Sequence, residues 1–295
     1  MKVLLAEYAT RHDLTLAGEG TAMLVTVKMS FERCGYEVVL PASGDFAAEI
    51  ARLAPGCDMG LVIAPDHILA RFTQILEQHT HNLGCGFMTV ALCANKVQTE
   101  KILRAHGVPV PPIANSGRQI IKPVKGCGAQ GVRVSAEPAG EGEFAQRYID
   151  GEHVSVSLVA SRVIGDACAY FTGKPPLVLA VNRQTIQTGS DGAISYLGGE
   201  TPVHLSREAE IIEVATKAII VMGCQGYCGV DVIVGDKVYV IDINPRITTS
   251  LIGIAACMQE EIAEILVDAS KGGGPDQVHL TGSVRFDTNG KVSKL

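Results

Sequence analysis

Three groups of residues have the types and spacing to do chemistry, and the densest is the stretch GVDVIVGDKVYVIDINPR at 229–246. Taking Gly235-Asp236 as a two-residue turn places Val234 opposite Lys237 and Asp231 opposite Val240. Asp242 and Asn244 then share the Asp231 face. Asp231 and Asp242 become diagonal neighbours, about 7–8 Å apart at Cα, a spacing that hard divalent cations bridge through carboxylate oxygens. Mg²⁺ is the natural choice, with Mn²⁺ as a substitute. Val232, Val234, Tyr239, Ile241 and Ile243 fall on the opposite face in this register. Arg246 adds a forked cation suited to a phosphoryl or carboxyl group. The competing reading is an acidic hairpin face that is simply solvated.

The second group is the loop Gly126-Cys-Gly-Ala-Gln-Gly131, which matches GxGxxG literally. A dinucleotide loop joins a strand to a helix, but VRVSA follows this one, alternating and β-branched. The loop therefore reads as a hairpin tip. There Gly126 and Gly128 can lay backbone N–H groups against phosphates, with Lys125 adding charge, unless it is an ordinary surface hairpin. The third group is a pair of lysines. Lys122 sits in the apolar strand IIKPV, and Lys96 opens a helix, where a cation opposes the macrodipole unless an anion lies nearby.

These groups need a scaffold of strands and helices. Residues 3–6, 37–40 and 59–64 read as strands, with helices over 21–34, 45–53 and 67–79 and a fourth strand near 86–89. This is a doubly wound α/β lobe over 1–94. A small β-rich lobe over 95–150 begins with a helix from Asn95. The remainder, 151–295, carries strands at 153–161 and 167–171, a polar stretch at 181–199, a helix over 206–222, the acidic hairpin, and one helix over 250–270.

With 47% hydrophobic and 19% charged residues, the 295-residue chain is neither disordered nor a small module. Net charge −6 argues against nucleic acid or an anionic membrane surface as partner, so small-molecule substrates are expected, and a homo-oligomer is compatible. The nine cysteines contain no CxxC pair and no zinc spacing, and read as reduced core thiols. His79 and His81 read as surface histidines. No stretch reaches membrane-spanning length and the opening apolar run is too short for a secretory signal, so a cytoplasmic chain is expected.

In order and spacing, Lys96, Lys122-Pro123, GCGAQGV, QRYIDGE and DVIVGDKVYVIDINPR resemble the ATP-grasp ligases over residues 95 to about 270. The resemblance implies two further α+β lobes gripping ATP. It implies that Lys96 and Lys122 hold phosphates, that Gln146, Arg147 and Ile149 form the adenine hinge, and that Asp231, Asp242 and Asn244 hold Mg²⁺. Where the family usually has an acid for the ribose, this chain has His153, with Glu152 one position earlier as the replacement. AEYAT, GEGTAML, LAVNRQTIQ and SYLGGETPV further resemble the archaeal tyramine–glutamate ligases of methanofuran biosynthesis, which implies Glu7, Glu19, Arg183 and Arg246 on the substrate side, and Tyr8 or Tyr196 against a phenol ring. The resemblance implies an ADP-forming reaction: ATP activates the γ-carboxylate of glutamate to an acyl phosphate that the amine, tyramine, attacks, with Lys122, Lys125 and Arg246 neutralising charge. Other acid–amine pairs, a silent ATP-binding regulator and a dinucleotide oxidoreductase are the rival readings.

Overall fold

The computed structural model describes residues 1–126, 129–161 and 174–295. The first lobe alternates strand and helix as the apolar runs require: β1 (Lys2–Glu7), α1 (Ala9–His12), α2 (Ala17–Arg33), β2 (Glu37–Val39), α3 (Phe46–Leu53), β3 (Met59–Ile63), α4 (Asp66–Glu77), β4 (His81–Asn82) and α5 (Phe87–Cys93). Its four strands are parallel, in the order β2-β1-β3-β4. All five residues of β3 are buried, as a strand covered on both faces demands. The expected strand at 86–89 is instead the start of α5, and the fourth strand is His81–Asn82. Gly86 caps a run whose buried residues, Val90 and Cys93, are three apart, a helical rather than a pleated spacing.

The small lobe comprises α6 (Lys96–Ala105), β5 (Gln119–Pro123), β6 (Arg133–Ser135) and β7 (Glu143–Arg147), with the strands antiparallel in the order β6-β5-β7. The glycine loop thus joins two strands. Cys127 and Gly128, and the expected strand at 167–171, lie outside the described residues.

The last lobe holds β8 (Glu152–Ala160), β9 (Leu177–Thr188), β10 (Ile194–Thr201), α7 (Glu208–Met222), β11 (Gly226–Val234), β12 (Val238–Asn244), α8 (Ser250–Cys257), α9 (Ile262–Ser270), β13 (Val284–Asp287) and β14 (Val292–Lys294). Its antiparallel sheet runs β12-β11-β8-β9-β10-β13-β14. The polar stretch at 181–199 is therefore a hairpin of two long strands. The single helix expected over 250–270 is two, because Met258 turns extended and bridges Leu280. One apolar core runs from Leu4 and Phe72 in the first lobe through Ile219 of α7 to Val156 and Val230 in the large sheet. The first and last lobes are thereby packed as one body, with the small sheet set over the open face of the large one.

Candidate active site

The acidic hairpin forms in a register one step away from the simplest one. Val234 pairs with Val238, so the turn has three residues, Gly235 to Lys237. A bulge then restores the acids: Asp231 pairs with Asp242 and Val232 with Val240, leaving Ile241 as the extra residue. The acids are directly opposite each other rather than diagonal. An inserted residue reverses which face its neighbours occupy. Tyr239 and Ile241 consequently join Ile233 and Ile149 on the acid side, while Val232, Val238, Val240 and Ile243 enter the core.

The bulge also presents a carbonyl. Lys122 Nζ donates to Ile241 O at 2.9 Å and lies 5.3 Å from the centre of the Phe144 ring. Lys122 is buried, and loss of water pushes its pKa down to about 8 despite the nearby Asp242 charge. Lys96 forms a close ion pair with Asp242. Burial works against the Lys96 charge, but Asp242, Asp66 and Asp231 outweigh it and hold its pKa above the ordinary lysine value. Asp231 accepts from Gln184 Nε2 at 2.9 Å and from Asn244 Nδ2 at 3.1 Å. Burial first, and the Asp242 charge second, push the Asp231 carboxyl up to about 7. Two carboxylates and the Asn244 side-chain amide thus lie together beside Lys96. This all-oxygen donor set suits a hard divalent cation such as Mg²⁺ or Mn²⁺.

A cavity of about 190 Å³ separates the small sheet from the large one. Lys96, Lys122, Gly126, Gln146, Arg147 and Ile149 line it from the small lobe, and Asp231, Asp242, Asn244, Arg246 and Glu19 close its other side. The Gln146 amide is turned away, donating to Glu100 Oε2 at 2.9 Å. Lys125 is exposed and outside the lining. Strand phase displaces two other expectations. His153 lines the cavity, whereas Glu152 reaches from β8 to the neighbouring β9 and accepts from Arg183 Nε at 2.6 Å. Arg183 itself is held between Glu152 and Glu200, and its neighbour Gln184 takes the cavity face. Side chains alternate along a strand, so a shift of one residue exchanges the two faces.

The first lobe supplies the other wall. Arg246 Nε donates to Asp66 Oδ1 at 2.6 Å, and Nη1 donates to Ile247 O at 3.1 Å. Asp66 is buried at the carboxyl end of β3, where open parallel sheets place ligands. Sequence reading missed it, although Pro65-Asp66 directly after an apolar strand was a usable signal. Glu19 holds the Thr249 hydroxyl in a short hydrogen bond. Glu7 borders a small pocket with Glu19 and Arg246, but both its oxygens are engaged, by Ala9 N at 2.7 Å and Thr10 N at 2.8 Å. Tyr196 lines the main cavity beside Ser250, while Tyr8 packs among His12, Phe46 and Phe72. Asp66→Ala should therefore cost about 10- to 100-fold in kcat/KM, since a misaimed arginine loses most of its oriented hydrogen bonding. Steady-state kinetics on Asp66→Ala and Asp66→Asn, with the asparagine retaining more activity, is the check.

An ATP-grasp domain profile matches residues 93–250. Tyramine–L-glutamate ligase of Methanocaldococcus fervens is 32% identical over 214 residues, 71% of this chain and 65% of that protein. The enzyme of the same name from Methanocaldococcus jannaschii is 32% identical over 215 residues, 71% of this chain and 62% of that one. The chain thus covers a little under two thirds of either relative. The crystal structure of an ATP-grasp superfamily protein from Archaeoglobus fulgidus superposes with a TM-score of 0.76 at 29% identity, covering 97% of this chain and 92% of that one. N5-carboxyaminoimidazole synthetase from Staphylococcus aureus, complexed with ADP, shares the fold at a TM-score of 0.71 and 15% identity, over 96% of this chain and 81% of that one. Among the described residues no helix is long and apolar enough to cross a membrane. With more than half of its length matched by the domain profile, the chain belongs to the ATP-grasp family.

Proposed function

We propose that this chain is an ATP-dependent, ADP-forming ligase that joins the carboxylate of an amino acid, glutamate, to an amine, tyramine, in the cytoplasm. The observation that carries the reading is the meeting of Lys96, Lys122, Asp231, Asp242, Asn244 and Arg246 around one cavity. A nucleotide phosphate chain needs cations on one side and a metal-holding acidic cluster on the other, and this cavity offers both. The resemblance to tyramine–L-glutamate ligases supports the substrate pair.

In this reading the adenine rests against the backbone of Gln146 to Ile149, and Lys96 and Lys122 bind phosphate oxygens. Asp231, Asp242 and Asn244 would hold Mg²⁺, which supplies charge neutralisation for phosphoryl transfer. A glutamate carboxylate oxygen attacks the γ-phosphorus as the bond to ADP breaks, giving an acyl phosphate. Arg246, aimed by Asp66, steadies the charge on that group. The tyramine nitrogen then attacks the acyl carbon, phosphate leaves, and the nitrogen gives up a proton. Tyr196 and Glu19 border the space the amine would enter.

The test is phosphate release and product mass with ATP, Mg²⁺, and a panel of acids and amines. Release that needs both glutamate and tyramine is expected. Release with another pair would move the substrates, and none with any pair would remove the ligase reading.

A pH dependence follows from Lys122. Below about pH 8 its ammonium is charged and attracts phosphate; above that pH the free protein loses the charge. A bound polyphosphate holds the proton on, so ATP binding should weaken by roughly tenfold per pH unit above 8, with proton uptake. Calorimetry in buffers of different ionisation enthalpy reads both effects. Binding that is flat from pH 7 to about 9.5 would contradict the role given to Lys122.

A further inference from the structure

The chain carries a second cluster of ligating groups, remote in character from the oxygen-rich site. The sulfurs of Cys85, Cys224 and Cys228 all lie within 4.8 Å of one another, and all three residues are buried. Cys85 Sγ and Cys228 Sγ are 3.6 Å apart. Cys93, 2% exposed at the end of α5, is buried nearby, with its sulfur outside that group of three. Nothing in the ligase chemistry uses these thiols.

Thiolates bound about 2.3 Å from one Zn²⁺ in a tetrahedron stand about 3.8 Å from each other, close to the observed separation. The backbone around the cluster is shaped to converge on such a point. Gly223 ends α7 with a left-handed φ of 67°, and Gly226 at 63° turns the chain between Cys224 and Cys228. A Cβ on Gly226 would sit 2.5 Å from Leu83 O, which shows how closely this loop presses on the segment leading to Cys85. The Gln225 N–H donates to Cys85 Sγ at 3.1 Å, an arrangement that stabilises negative sulfur. Cys85 Sγ in turn lies 2.8 Å from Gln225 O, donating its thiol proton there while protonated.

We infer that Cys85, Cys224 and Cys228, completed by Cys93 once its side chain turns toward them, form a structural site for Zn²⁺. Each ligating thiol releases its proton to solvent as the metal binds. The closed thiolate set leaves no position for a substrate, so the ion is a staple. It ties the loop between β4 and α5 to the start of β11, three residues before Asp231, and so fixes the first lobe against the strand that carries the acidic pair.

Metal analysis of the full chain purified under reducing conditions, and titration of the metal-free reduced chain with Co²⁺, test the inference. The expected result is one zinc per chain, and a cobalt complex with thiolate charge-transfer and tetrahedral visible absorption that Zn²⁺ displaces. Cys228→Ser should weaken zinc binding by at least about a hundredfold, while Cys57→Ser, outside the cluster, leaves it unchanged. If Cys228→Ser does not fold, the cobalt spectrum of the unaltered chain decides alone. A folded, reduced chain that binds Co²⁺ without thiolate charge transfer, or binds none, overturns the site.

Discussion

Asp242→Asn is expected to lower ATP-driven phosphate release by about a thousandfold, without recovery at high Mg²⁺, while the protein stays folded. Asparagine keeps the size of the side chain and an oxygen able to accept from Lys96, so the hairpin and its bulge need not move. What it removes is one of two carboxylates standing opposite each other. The remaining acid then behaves differently. The Asp242 charge is the second cause, after burial, of the raised Asp231 pKa, so Asp231 should ionise more readily in the variant.

Stability gives an independent readout. In the unaltered, metal-free chain the folded state holds a proton on Asp231 up to about pH 7, whereas an unfolded Asp loses it near 4. The folded state therefore binds more protons in that window, and this group's contribution makes stability fall as pH rises from about 4 to 7. The fall should shrink in Asp242→Asn, and added Mg²⁺ should offset it in the unaltered chain. Thermal melts at several pH values, with and without Mg²⁺, measure both. Full activity in the variant would show that the acidic pair does not serve phosphoryl transfer.

Lys122→Met should reduce kcat/KM by about 100- to 1000-fold, mostly through weaker ATP binding, and should abolish the pH dependence of that binding. Methionine matches the length of the lysine stem and fills the space beside Phe144. Its effect on folding is a balance. Removing a desolvated ammonium is favourable, while Ile241 O loses its donor, a cost of about 1–3 kcal/mol. The melting temperature should consequently change little. Such a separation of activity from stability distinguishes a ligand-binding lysine from one that merely props up the bulge. Calorimetric ATP titration together with differential scanning supplies both numbers, and unchanged ATP affinity would exclude Lys122 from the phosphate site.

Local patterning made much of this molecule legible. The apolar strands and amphipathic helices of the first lobe and the strand on each side of the glycine loop follow from residue type and short-range spacing, as does the pairing of Asp231 and Asp242 on one hairpin. These features depend on neighbours within a few positions, which sequence displays directly. The direction of a side chain on a strand is another matter, because register changes with each bulge and turn length. Ile241 is the extra residue where β12 pairs with a β11 that keeps an unbroken register with β8 on its other side. The same phase problem put Gln184 rather than Arg183, and His153 rather than Glu152, on the cavity. Asp66 reaches Arg246 across 180 positions, and Cys85 meets Cys228 across 143. Contacts of that separation come from how the layers pack, so only the folded chain could show that an arginine has its orienting acid and that scattered thiols share one point.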